Sequence, residues 1–177
     1  MGGTVGVSQK NSMLRLIILI LLIIEGCTSV STKKHPAYVY KDPYHYGVLS
    51  KTLIESHAGY SWFNKQYNKY IPQIEQIDEN KLNQVSIKIF MGTWCHDSKR
   101  EVPRLYKILD AIGHNESNLK IIGLTKDKKG YFNDYSQYGI TNTPTFIFFH
   151  KGQEIGRIIE RPKGSLESRI QFILDKI

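Results

Sequence analysis

The chain has 177 residues with a formal charge of +8, and 41% of its residues are apolar. That length suits one domain plus a tail, and the apolar fraction excludes a disordered chain. The charge could favour acidic lipid head groups or an anionic partner, or be a solvated basic surface. No basic motif with a known docking mode accompanies it, so nucleic acid is not an expected partner.

The N-terminus reads as an address. Lys10 and Arg15 precede the run Leu16 to Ile24, which Glu25 stops. Charge first and a short apolar block second is the layout of a secretory signal, here residues 1–26; a spanning helix needs about 20 apolar residues. Ile24-Glu25-Gly26-Cys27 resembles a bacterial lipobox, in which Cys27 receives lipid and becomes the new N-terminus. Gly26 and Cys27 fit that pattern and Glu25 departs from it. The expectation is a lipoprotein of the cell envelope, anchored to a membrane and facing the periplasm or exterior.

Residues 27–47 read as a tether, punctuated by Ser, Thr, Lys, Pro36 and Pro43, with Tyr38, Tyr40, Tyr44 and Tyr46 interleaved. Alternating tyrosines would also suit a strand or a sticky surface. Residues 48–83 read as a helical extension: Val48 to His57, then Tyr60 to Ile77 with Trp62, Tyr70, Ile71, Ile74 and Ile77 at helical spacings and Pro72 as a kink.

From there the pattern becomes α/β. Val85 to Met91 is β-branched and aromatic and predicts a strand. A helix follows from about Asp97 to Ile112, then strands over Leu119 to Leu124, Thr145 to Phe149 and Glu154 to Ile159. Leu166 to Ile177 closes the chain as an amphipathic helix with Ile170, Phe172, Ile173 and Ile177 on one side. A strand–helix–strand start and a hairpin end imply a central mixed sheet flanked by helices.

Two cysteines are too few for a disulfide framework, and their surroundings differ. Cys27 follows the apolar run, whereas Cys95 lies in Trp94-Cys95-His96-Asp97-Ser98, between a strand and a helix. This segment resembles the active-site turn of the thioredoxin superfamily. Three further features carry the resemblance: Pro103, eight positions after Cys95; Thr143-Pro144-Thr145, which matches the family's cis-proline segment; and Gly152, between the last two strands. It covers residues 84–177 and implies a thioredoxin-like fold with Cys95 as the reactive thiol. Trp94, Thr143 and Pro144 would then line the substrate groove. Ser98 replaces the second cysteine of the usual pair, Ile89 stands where thioredoxins often bury an acid, and Glu160-Arg161 lie near a late glycine. The wording looks like a one-cysteine subgroup.

A thiolate at a helix N-terminus is favoured by the unpaired N–H groups and the dipole. His96, if protonated, would favour it and Asp97 would oppose it; Asp97 also suits a helix cap, and His96 a plain turn residue. Ser98 can offer a hydroxyl but no second thiol, so the expected chemistry is a mixed disulfide that an external thiol must resolve. That fits isomerisation or removal of a small-thiol cap on protein or small-molecule thiols and disulfides. The alternatives are an inert Cys95 and a tethered, non-catalytic binding module. His35, His45, His57, His114 and His150 show no ligand spacing, and no cofactor or metal is expected.

Overall fold

The computed structural model describes residues 1–2 and 36–177. The signal run and Cys27 lie outside the described residues. The chain divides into Met1–Lys34 and His35–Ile177, and the architecture that follows is that of the second unit.

The sheet has six strands: β1 (Tyr38–Lys41), β2 (Tyr44–Leu49), β3 (Val85–Met91), β4 (Leu119–Gly123), β5 (Thr145–His150) and β6 (Gln153–Ile159). Their order is β1-β2-β4-β3-β5-β6. Only β3 and β4 run parallel; every other pair is antiparallel. The expected strands are therefore all present, and the sheet is mixed.

Two strands lie where the tether is expected, and for the alternating tyrosines the strand alternative holds. Tyr38–Lys41 and Tyr44–Leu49 form a hairpin, with Pro43 in its turn, and β2 pairs with β4 through Gly47, Val48 and Leu49. Residues 38–47 thus belong to the sheet and not to a tether. The tyrosine alternation is strand periodicity: register puts Tyr38 and Tyr40 on the side of His45, and Tyr44 and Tyr46 on the side of Val39 and Lys41. Val48 and Leu49, expected in a helix, close β2; helix α1 (Lys51–Ser56) starts after Ser50, whose hydroxyl accepts the Leu53 N–H at 3.1 Å.

Helix α2 (Trp62–Lys69) stops short of the expected Ile77. Tyr70 is extended and Ile71, before Pro72, is 85% exposed, because the proline ring disfavours helical backbone in the residue ahead of it. A 3-10 turn (Ile74–Gln76) and α3 (Glu79–Leu82) follow. The buried Glu167 carboxylate ties this stretch down, accepting from Tyr70 OH at 2.9 Å and Gln73 N–H at 3.1 Å.

Helix α4 (His96–Ile112) and α5 (Leu166–Leu174) supply the main helical packing. On one side of the sheet Ile87, Ile89, Met91, Ile121, Phe146 and Phe148 form a single core with Val102, Leu105 and Leu109 of α4 and with Leu166, Ile170, Ile173 and Leu174 of α5. The buried stripe of α5 runs through Leu166, Ile170, Ile173 and Leu174; Phe172 is 56% exposed and faces away from it. The opposite side of the sheet carries Phe90, Ile122, Leu124 and Ile147. Tyr135, Tyr138 and Ile140 from the β4–β5 connection pack on them. Lys88 Nζ donates to Tyr138 OH at 2.6 Å and Arg157 to the Tyr138 carbonyl at 2.8 Å, which holds that connection on the sheet.

Candidate functional site

The C-terminal ends of β3 and β4 and the start of β5 meet at one end of the sheet, and the Trp94–Ser98 segment lies there. Gly92 to Cys95 is a tight turn, closed by Cys95 N–H to the Gly92 carbonyl at 2.9 Å. Cys95 is the N-cap of α4, its carbonyl accepting Lys99 N–H at 3.0 Å. The sequence therefore places its cysteine at a helix N-terminus, where the dipole favours negative charge. Thr93 anchors the turn to β2: its hydroxyl accepts the His45 N–H at 3.2 Å and donates to the His45 carbonyl at 3.4 Å. Trp94 Nε1 donates to the Leu124 carbonyl at 2.9 Å, pinning the indole to the end of β4.

The structure brings Cys95 and the Thr143-Pro144 segment together. The peptide bond between Thr143 and Pro144 is cis, and the half-buried Cys95 thiol donates to the Thr143 carbonyl at 3.0 Å. Trp94 adjoins Cys95 in the turn and Pro144 follows the carbonyl that the thiol meets. Ser98 is fully buried, and its hydroxyl accepts the Gly92 N–H at 3.2 Å. Ile89 is also fully buried in the core, so β3 contributes no acid. The acid on α4 that is buried, Glu101, pairs with Arg100 and with Arg104.

Asp97 does not cap the helix. Cys95 holds the cap position, and the Asp97 carboxylate accepts from Arg161 Nε at 2.5 Å. Partial burial pushes this carboxyl up, but the Arg161 hydrogen bond and charge outweigh it and hold it below the ordinary aspartate range. Arg161 also lies 3.2 Å from His96 Nδ1. Asp97 is thus neutralised by a cation from the other end of the domain, and its opposition to a thiolate at Cys95 is blunted.

Glu160 completes this bridge. Its N–H donates to the Pro144 carbonyl at 2.8 Å and its carboxylate accepts from Asn142 Nδ2 at 2.8 Å. Its φ is +53°, a backbone conformation that costs an ordinary side chain and explains why a glycine is at home there. The Glu160-Arg161 pair therefore joins the cis-proline segment to the first turn of α4. The sequence shows these residues only as departures from a pattern; Arg161 reaches back 64 and 65 positions to Asp97 and His96, and Glu160 reaches 18 to Asn142, so neither leaves a local signal.

Neutralisation of Asp97 has a measurable consequence. Arg161→Gln should slow alkylation of Cys95 at pH 7 about threefold, the size expected of one partly exposed charge, and Asp97→Asn in the same chain should restore the rate. Because the Asp97 carboxyl is depressed in the fold, the pair's stabilisation is present above the ordinary aspartate range and lost as pH falls through the lowered value. Equal alkylation rates in the parent and Arg161→Gln would show that Asp97 does not act on the sulfur.

A mixed sheet flanked by helices, a cysteine at the head of a helix and a cis Thr143-Pro144 bond whose Thr143 carbonyl meets its thiol define a thioredoxin-like protein. The comparisons agree. A thioredoxin family model matches residues 55–171, more than half of the chain, and the chain belongs to that family, whose chemistry is thiol–disulfide exchange. The chain is similar to Thioredoxin H9 of Arabidopsis thaliana, 28% identical over 88 residues, which cover 50% of this chain and 59% of that protein. It thus spans less than two thirds of that relative's length. A thioredoxin of Synechocystis is 30% identical over 87 residues, covering 48% of this chain and 76% of the relative. Among solved structures, mitochondrial thioredoxin 3 of Saccharomyces cerevisiae in its oxidised form is 21% identical, covering 63% of this chain and 99% of that one, with a TM-score of 0.36.

Proposed function

We propose that this protein performs thiol–disulfide exchange through Cys95 alone, as an exported protein held at the cell envelope by lipid on Cys27. The observation that carries the reading is the Cys95 sulfur at the N-cap of α4, against the cis Thr143-Pro144 segment, with a serine hydroxyl buried where a resolving thiol would stand.

In the first step the Cys95 proton passes to solvent and the thiolate attacks a substrate disulfide. One S–S bond forms between Cys95 and the substrate as the substrate's own S–S bond breaks, and the second substrate sulfur leaves as a thiolate. Ser98 cannot attack the adduct. An external thiol therefore resolves it, forming a disulfide with the substrate and returning Cys95 reduced, or reducing it with a second thiol equivalent. Trp94 and Pro144 confine the approach, and the helix terminus favours the anion. Isomerisation of protein disulfides and removal of small-thiol caps both follow this scheme.

Incubation of the full chain with a disulfide-bonded protein and no other thiol should yield an adduct of one substrate per chain by mass spectrometry, released by glutathione. Cys95→Ala should form none. Cys27→Ser should keep the adduct and lose acyl labelling in cells. Partner binding that survives Cys95→Ala, with no adduct in the parent, would instead identify a non-catalytic binding module.

A further inference from the structure

We propose that the face of the sheet beside Trp94 docks an acidic segment of the disulfide-bearing protein that Cys95 attacks; this names the substrate class and rests on the thiol–disulfide reading above. Register places Lys41, Tyr44 and Tyr46 on one side of the β1–β2 hairpin. The β4–β5 connection adds Lys126, Lys128 and Tyr131 to it. Lys126 lies over the Tyr44 ring at 5.6 Å, Lys41 over Tyr131 at 4.7 Å and Lys128 over Trp94 at 5.9 Å, while Tyr46 stacks on Tyr131 at 5.8 Å. Among the described residues none of these three lysines has a carboxylate within ion-pair distance. Of the acids nearby, Asp127 pairs with Lys129 at 3.4 Å, while Asp134 and Asp42 are tied to their own turns, accepting from the Ser136 N–H and hydroxyl and from Tyr40 OH.

A lysine laid on a ring keeps its charge while its stem is already ordered, so less conformational freedom is lost when a carboxylate arrives. The surface is also concave. A hollow of about 540 Å³ opens in the same connection, lined by the Tyr131, Phe132 and Tyr135 rings, by Lys128 and Lys129, and by Asp127 and Asp134, so that the unpaired positive charge lies on its hairpin side, at Lys41, Lys126 and Lys128. Lys128 joins it to Trp94, and its Gly139–Thr141 rim runs straight into the Asn142–Pro144 segment at the sulfur. A chain lying in the hollow is thus delivered to Cys95. A bilayer pressed onto this face would cover Trp94 instead, which favours an acidic polypeptide over a lipid surface as the occupant.

The test uses the full chain and two peptides carrying the same activated disulfide, one flanked by glutamates and one by lysines, with a small neutral disulfide as reference. The acidic peptide should form its Cys95 adduct at least about tenfold faster than the basic one at low salt, with the gap closing as salt screens it. In the triple variant Lys41→Gln/Lys126→Gln/Lys128→Gln, the ratio of acidic-peptide rate to neutral-disulfide rate should fall about tenfold, because three exposed cations no longer attract the glutamates. Equal rates for the two peptides, or a ratio that the triple variant leaves unchanged, overturn the proposal. Loss of binding to anionic lipid vesicles in the triple variant without a change in that ratio also overturns it, assigning the face to a membrane. If Cys95 forms no adduct with any disulfide, the redox reading fails, and anisotropy with a cysteine-free acidic peptide decides the surface by itself: lysine-dependent binding supports it and no binding overturns it.

Discussion

Ser98→Cys should let the mixed disulfide proposed at Cys95 release its substrate without an external thiol. Ser98 occupies the first turn of α4, three positions after Cys95, and is fully buried with its hydroxyl on the Gly92 N–H. A sulfur there sits in the same turn as the adduct, and its attack is intramolecular. It breaks the bond between Cys95 and the substrate, joins the two sulfurs of the chain, and frees the substrate thiol. The effective concentration of such a group exceeds millimolar external thiol, so the adduct's lifetime without glutathione should fall by more than about tenfold. The weaker acceptor at Gly92 should cost about 1 kcal/mol of stability. Ile89 leaves no buried acid to take the second thiol's proton, which keeps the variant slower than a two-cysteine enzyme. Stopped-flow quenching and mass spectrometry of the adduct check this. An adduct equally long-lived in Ser98→Cys would show that the side chain at 98 does not reach the sulfur during the reaction.

The parts of this fold legible in the sequence are those whose signals are local. β3, β4, β5 and β6 are runs of β-branched and aromatic residues, and α4 and α5 carry apolar stripes at helical spacing. The cysteine at the head of α4 and the Thr143-Pro144 segment were legible for the same reason, as short motifs between such runs. The β1–β2 hairpin was not. Its strands are four and six residues long, bounded by prolines and rich in polar residues, and what makes them strands is pairing with β4, more than seventy positions away. Composition there resembles a linker until Gly47 and Gly123 are seen face to face.

The same distinction separates the readable from the unreadable in the candidate site. Asp97 looks like a cap because aspartate favours caps, yet Cys95 already occupies that position and a distant arginine claims the carboxylate. Helix α2 was read too long because Tyr70, Ile74 and Ile77 keep helical spacing across Pro72. The backbone turns extended at Tyr70, two residues before Pro72, and this outweighs that periodicity; the Tyr70 N–H still closes the last turn on the Gln66 carbonyl, while its hydroxyl is held by Glu167 of α5. The cationic face was visible only as net charge, since its lysines come from β1 and from the β4–β5 connection and converge through tertiary structure alone.

Gly92 is the residue at which the turn's tight packing can be tested most sharply. A Cβ built there would lie 2.7 Å from Trp94 Cζ2 and Nε1, and closer still to Cε2. Neither partner can move freely. The indole is held by its bond to the Leu124 carbonyl. The Gly92 backbone binds at both ends, giving its N–H to Ser98 and its carbonyl to the Cys95 N–H. Its φ lies outside the left-handed region, so the demand for glycine is one of space and not of backbone conformation. Gly92→Ala should therefore displace the ring, break its hydrogen bond and tilt Cys95. The expected cost is about 1–3 kcal/mol, as for other overpacked sites. Adduct formation should fall about tenfold, because a nucleophile displaced by a fraction of an ångström loses its aligned approach. Urea denaturation measures the first, the mixed-disulfide assay the second, and indole emission in a Trp62→Phe background follows the ring itself. A shift of the emission to longer wavelength with a lower urea midpoint is the expected pair of results. An unchanged midpoint, emission and adduct rate would mean that the Trp94 ring does not lie over Gly92, and that the turn which holds Cys95 against Pro144 is built some other way.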